Sequence, residues 1–107
     1  MRIYGLKNCD TCRKALKSLP AAELVDVRAD GLPDAVLDAA LEQFQQALVN
    51  TRSATWRGLD EAARGMAARD LIKAHPAVMK RPLIAAGNAL FLGWNSQVEA
   101  EVKALAS

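Results

Sequence analysis

"LKNCDTCRKALKSL", residues 6–19, decides how the rest of the chain is read, because two cysteines three apart stand at the front of a short basic helical pattern. Cys12, Ala15, Leu16 and Leu19 recur at three- and four-residue steps, Asp10 and Thr11 suit a first turn, and Pro20 ends the run. The segment is a helix that opens at the cysteine pair. Such a pair can be a metal clip, a structural disulfide or a reaction centre, and Cys-x-x-Cys alone is a loose pattern that two inert, half-buried thiols also satisfy.

Composition narrows the choice. A chain of 107 residues, 51% of them hydrophobic, fits one small domain with a thin core. Fourteen Lys and Arg against twelve Asp and Glu leave a net charge of +2. That gives no bulk field for gripping nucleic acid or an anionic membrane, so any anion site must be local. No apolar run approaches the roughly 18 residues that span a bilayer. Met1-Arg2 leads straight into the strand-like Ile3-Tyr4 with no apolar leader, and a cytoplasmic location is the expectation. A permanent disulfide is disfavoured in a reducing compartment. A zinc site needs about four ligands, and Cys9, Cys12 and the single histidine, His75, are too few, so no metal is expected. Redox chemistry moves ahead.

Around this helix the elements alternate. Residues 2–5, "RIYG", are β-prone, and Gly5 to Asn8 form the loop into the helix. "ELVDVRA", 23–29, reads as a second strand through Leu24, Val25 and Val27, stopping at Asp30-Gly31. Strand, helix, strand predicts two parallel neighbours joined by a right-handed crossover. From Pro33 to about residue 76 the chain reads as helix in pieces, with Val36, Leu37, Ala40, Leu41 and Phe44 on one stripe and breaks near residues 50–54 and at Gly65. Leu83 to Ala86 and Ala89 to Leu92 flank Gly87-Asn88 as a hairpin, and Asn95 or Ser96 can cap a last helix carrying Val98, Val102 and Leu105.

This order is the plan of an α/β thioredoxin-like fold, with the cysteines where that fold keeps its chemistry. "NCDTCRKAL" (8–16), "LVNTRSATWRGL" (48–59), "KRPLI" (80–84) and "LGWN" (92–95) together resemble the arsenate reductase (ArsC) family, nearest its YffB and Spx branch. The resemblance spans essentially the whole chain. It implies a four-stranded mixed sheet with an all-helical insertion between strands 2 and 3. Residues 1–107 are then a single domain with core 1–30 and 80–107 and insertion 33–76. It puts Cys9 in the place of the catalytic cysteine, Arg13 in that of the arginine four residues on, and Arg81-Pro82 in that of the family's Arg-Pro, with Pro82 cis and facing the cysteine. Two departures stand out. Arsenate reductases of this type have a histidine where this chain has Gly5, and an arginine just after the last strand, where it has Gly93-Trp94.

The candidate catalytic residues are Cys9, Cys12 and Arg13. A thiolate is the nucleophile, and at the helix start the unpaired N–H groups and positive dipole end favour it; Arg13, one turn on, would add a cation. A drop of about two pKa units would raise ionisation at neutral pH roughly 25-fold, but each thiolate becomes about tenfold less nucleophilic. The larger benefit comes when Cys9 is the leaving group of a mixed disulfide. Cys12 lies on the same helical face, close enough to resolve that disulfide, or else is one more small core residue beside Leu16.

Asn8, Arg52, Arg81 and Pro82 are the candidate substrate-binding residues. Arg52 competes with Asn50 for the family's anion-contacting position, and a solvated loop arginine is the plainer alternative. Helix N–H groups with Arg13 and Arg81 would suit arsenate or the carboxylates of glutathione. Arg57, Arg64 and Arg69 read as a solvated face, His75 as a helix end, and Trp56 and Trp94 as packing. The expected function is a small cytoplasmic thiol-disulfide oxidoreductase, monomeric, binding no cofactor and using glutathione as co-substrate. Arsenate reduction is the alternative reaction. A Spx-like redox-sensitive regulator, with RNA polymerase as partner, is the alternative from another class.

Overall fold

The first strand, β1 (Arg2–Gly5), is the axis of the sheet. It pairs in parallel with β2 (Glu23–Asp26) on one side and antiparallel with β3 (Leu83–Ala86) on the other. Strand β4 (Ala89–Leu92) completes a mixed four-stranded sheet in the order β2-β1-β3-β4 by pairing with β3 across the Gly87-Asn88 turn. Between these strands lie α1 (Asp10–Ser18), α2 (Val27–Asp30), α3 (Asp34–Phe44), α4 (Ala54–Arg57), α5 (Glu61–Arg64) and α6 (Ala68–Ala74), and α7 (Ser96–Ala106) follows the hairpin. This computed structural model describes residues 1–106. The architecture is thioredoxin-like, with the helical insertion between β2 and β3.

By contact the chain divides into two compact units, Met1–Val27 together with the chain from Arg81 onward, and Arg28–Lys80. In the first, strand register explains the core. Leu24, Ile3, Ile84 and Phe91 stand directly opposite one another across the four strands and so share one face of the sheet. Ala15 of α1, Leu19 at its C-cap and Val102 of α7 close over that face, with Leu16, Trp94 and Val98 packed around them. Burying a large aliphatic side chain contributes about 1.5–3 kcal/mol, and Ile3 and Ile84 of this row are fully buried. The two helices are also tied at their edges, where the Ser18 hydroxyl donates to the Glu99 carboxylate. Asn95 caps α7 by accepting from the Val98 N–H at 2.8 Å.

The second unit is built on Leu37, Ala40, Leu48, Leu71, Ile72, Val78 and Met79, all buried. Helices α3 and α6 carry an exposed ion-pair ladder, Arg69 to Asp38 at 2.8 Å and Lys73 to Asp34 at 3.0 Å. Exposed pairs of this kind contribute little to stability, because both charges stay solvated and screened. The short helices α4 and α5 begin at Ser53 and Asp60, whose side chains accept from the Trp56 and Ala63 N–H groups. Arg64 lies over the Trp56 ring, 5.5 Å from its centroid.

Two local readings are corrected. Strand β2 ends at Asp26, and residues 27–29, expected as strand, lie in α2. Its ladder partner β1 offers only Arg2 to Gly5, the last pair is Gly5 with Asp26, and beyond it the backbone closes its own hydrogen bonds. Helix α3 stops at Gln45, a non-glycine residue at φ 52, before a short 3₁₀ turn over Gln45–Leu48. An isolated β-bridge pairs Val49 with Met79, and no further strand lies between β2 and β3 among the described residues.

Gly93 leaves β4 with φ 82, in the left-handed region, while its N–H donates to the Pro82 carbonyl at 2.8 Å. A side chain there costs roughly 1–2 kcal/mol. Gly93→Ala is therefore expected to lower the urea unfolding free energy by about that amount, whereas Leu105→Ala, at a position 58% exposed, should change it by less than about 0.5 kcal/mol. Equal effects of the two substitutions would mean that the Gly93 turn is not specified by its backbone.

Candidate active site

The register of β1 against β3 brings the two ends of the chain together. Tyr4 stands opposite Leu83, so the loop that leaves β1, residues 6–9, runs beside the segment that enters β3, Arg81-Pro82. The Arg81–Pro82 peptide is cis. Cys9 follows the loop as the N-cap residue of α1, with extended backbone at φ −93 and ψ 120, and its carbonyl accepts the Arg13 N–H at 3.0 Å. Cys12 is the third residue of the helix and fully buried. The Cys12 N–H, in the first turn of the nine-residue α1, acts on the Cys9 sulfur, and the Leu6 N–H of the preceding loop acts on that of Cys12.

These surroundings drive the two thiols apart in acidity. Partial burial is the largest single influence on Cys9 and opposes its ionisation. It is outweighed by the Cys12 N–H, the Cys12 thiol and the Arg81 guanidinium, and the Cys9 pKa falls below its ordinary value. No cap hydrogen bond of ordinary length runs from the α1 backbone to the Cys9 sulfur, so these are close polar contacts around an anion rather than a tight cap. Cys12 is pushed up to about 12, first by burial and then by the adjacent Cys9, despite the Leu6 N–H and Arg81, which favour its anion. Cys9 is thus the more readily ionised sulfur and Cys12 the less.

Three hydrogen bonds fix the loop that delivers Cys9. Its own N–H donates to the Leu6 carbonyl at 3.2 Å, the Lys7 N–H donates to Asp26 Oδ2 at 3.2 Å, and Arg13 Nε donates to the Lys7 carbonyl at 2.9 Å. The cation acting on Cys9 is accordingly Arg81, while Arg13, expected there from the helix pattern, is turned to the Lys7 carbonyl and to Asp10, 3.8 Å away. Arg13 positions the loop. Asp26, which the sequence did not single out, does the same from the end of β2, and its place opposite Gly5 in the parallel register was the available signal. Asn8 is exposed in this loop beside Cys9.

Gly5 lies against Cys12. A Cβ at position 5 would overlap Cys12 Sγ and come within 3.3 Å of Cys12 Cβ. The space that a histidine at this position would need is filled by the second sulfur. Arg81 is half-buried, its Nε wholly shielded from solvent. In the unit 28–80, Arg52 is exposed in the turn before α4, its N–H bonded to Asn50 Oδ1 at 3.0 Å and its carbonyl to Arg57. His75 ends α6 as its C-cap. Among the described residues no group of three or more His, Cys, Asp or Glu side chains could hold a metal ion. No helix among them is long and apolar enough to cross a membrane.

Chemically, the arrangement can form a mixed disulfide at Cys9, hold an anion beside Arg81, and offer a second thiol behind the first. Comparison with known proteins agrees with that chemistry. The sequence model of the ArsC family matches residues 4–102. An uncharacterized protein of Haemophilus influenzae is 39% identical over 89% of this chain and 91% of its own. A solved protein named YFFB superposes with a TM-score of 0.84 at 28% identity, covering 94% of this chain and 96% of that one. An arsenate reductase (ArsC) related protein from Brucella melitensis gives a TM-score of 0.68 at 34% identity, over 95% and 93% of the two chains. With the match running from β1 into α7 and the cysteine pair inside it, the chain belongs to the ArsC family.

Proposed function

We propose that the protein is a glutathione-dependent thiol-disulfide oxidoreductase in which Cys9 is the nucleophile. The observation that carries this reading is the opposed environment of the two sulfurs, with Cys9 half-exposed and its pKa lowered, and Cys12 buried behind it and raised. The Cys9 thiolate attacks one sulfur of a substrate disulfide, forming a mixed disulfide and expelling the other half as a thiolate. A glutathione thiolate, or Cys12 after losing its proton, then attacks Cys9 Sγ and releases the second half. Glutathione restores the Cys9 thiol, so one substrate disulfide is reduced to two thiols while two glutathione molecules become one glutathione disulfide. The lowered pKa assists most in the last transfer, when Cys9 must leave.

Arg81, with the α1 N–H groups, is the proposed contact for a glutathione carboxylate; Asn8 and Pro82 line the approach to Cys9, and Arg13 supports it through Lys7. Arsenate reduction is the second reading, favoured by the arsenate reductase-related protein among the similar structures. It asks more of the site. Arsenate carries one to two negative charges at neutral pH and must sit beside a thiolate, where each oriented donor counts for more than in water. Gly5 and Gly93 supply no side-chain donor at the two positions where arsenate reductases of this type carry histidine and arginine.

Glutathione-coupled reduction of a small disulfide, followed by NADPH consumption, should therefore be detectable and should vanish in Cys9→Ser. Arsenate in the same assay should give turnover lower by about 10²- to 10³-fold, the usual cost of one missing oriented donor. Robust arsenate turnover that Cys9→Ser abolishes would put arsenate reduction first. Arg81→Ala should raise KM for glutathione about 10- to 100-fold, corresponding to loss of one charge-assisted contact of about 1.5–3 kcal/mol. An unchanged KM would remove Arg81 from substrate binding.

A further inference from the structure

We infer that Gly5 is a positioning residue for the second sulfur: by carrying no Cβ, it seats Cys12 Sγ behind Cys9 and makes Cys12 the resolving thiol of this site. The inference rests on Cys9 being the nucleophile and specifies what resolves it.

Glycine at position 5 has no conformational reason to be there. It is the last residue of β1, paired with Asp26, and its φ is not positive, so any residue could adopt its backbone. A glycine inside a strand loses chain entropy and packs no side chain, and where the backbone does not require it, it marks a close approach. Here the close approach is Cys12. An added Cβ would overlap the sulfur itself and would lie 3.3 Å from Cys12 Cβ, which would have to shift by a few tenths of an ångström. The relief open to the structure is to rotate Cys12 about its Cα–Cβ bond. Within a helix only two of the three staggered positions are readily used, so this rotation carries the sulfur to one other place. Gly5 thus selects one rotamer of Cys12.

That rotamer is the one from which the Cys12 thiol faces Cys9. A disulfide tolerates little error in the separation and direction of its two Cβ–S bonds, so a sulfur held in the facing rotamer closes the ring with less reorganisation than one that must search for it. The step balances within the proposed cycle. In the mixed disulfide Cys9–S–S–R, Cys12 gives its proton to solvent, its sulfur bonds to Cys9 Sγ, and RS⁻ leaves with the electron pair of the broken bond. Two glutathione thiols then reduce the Cys9–Cys12 disulfide and become glutathione disulfide. In the mixed disulfide Cys9 can carry no charge, which removes one of the two influences that raise the Cys12 pKa.

The test equilibrates the full chain with glutathione and glutathione disulfide and measures the Cys9–Cys12 disulfide by mass, in the wild type, Gly5→Ala, Cys12→Ala and Gly5→Ala/Cys12→Ala. Gly5→Ala should lower the equilibrium constant for the Cys9–Cys12 disulfide by about tenfold. The alkylation rate of Cys9 should be the same in Cys12→Ala and the double variant. A folded Gly5→Ala with an unchanged constant overturns the inference. Should Gly5→Ala fail to fold, urea unfolding of the double variant decides: stability equal to that of Cys12→Ala shows that the clash is with the sulfur and supports the seating, whereas a double variant as unstable as Gly5→Ala overturns it. A wild type whose Cys9 takes up glutathione but forms no Cys9–Cys12 disulfide overturns the inference and leaves Cys9 as nucleophile. A Cys9 that does not react with glutathione disulfide at all removes the functional reading and this inference together.

Discussion

The antiparallel pairing of β1 with β3 is the constraint on which the site depends. Ile3 and Ile84 face each other in the core, and a slip of one residue in either strand would turn that row of apolar side chains to the opposite face of the sheet. The register is thereby set by burial. The same register places the loop to Cys9 beside Arg81, although one stands near the beginning of the chain and the other after the whole helical insertion. A thiolate site assembled this way inherits its geometry from the hydrophobic core rather than from contacts among its own charged groups.

That origin also explains what was legible in the sequence. Cys9 at the helix start, the crossover between β1 and β2, the hairpin and the Arg81-Pro82 segment all follow from local periodicity, punctuation and the family's motifs. The length of β2 does not, because Leu24, Val25 and Val27 look alike as strand residues and only the length of β1 ends the ladder at Asp26. The cation beside Cys9 was assigned to Arg13 by helical spacing, yet Arg13 bonds the Lys7 carbonyl, and Arg81 acts on the thiol through a contact that sequence separation hides. Gln45 breaks α3 at a positive φ with no glycine to announce it. Gly5 was visible only as a missing histidine, and its fit against Cys12 needs coordinates.

The two sulfurs have opposite linkage to stability. Cys9, with its pKa lowered on folding, contributes stability above the pKa of the unfolded chain and loses it as pH falls through its folded value. Cys12, raised from 9.0 to about 12, contributes below 9.0 and loses that contribution as pH rises toward 12. The fold thus makes Cys9 the more acidic and Cys12 the less acidic of the two thiols. This is the distribution that a nucleophile backed by a resolving group requires, since a second thiolate beside the first would repel it.

The most direct measurement is a titration of thiolate ultraviolet absorbance in two single-cysteine proteins, Cys12→Ala, which retains Cys9, and Cys9→Ala, which retains Cys12. Each removes the partner sulfur, while the Cys12-position N–H and Arg81 remain around Cys9 and burial remains around Cys12. The expected result is a Cys9 midpoint below the ordinary thiol value of 9.0 and a Cys12 midpoint above it. A Cys9 midpoint at or above 9.0, or one higher than that of Cys12, would contradict the assignment of Cys9 as the nucleophile.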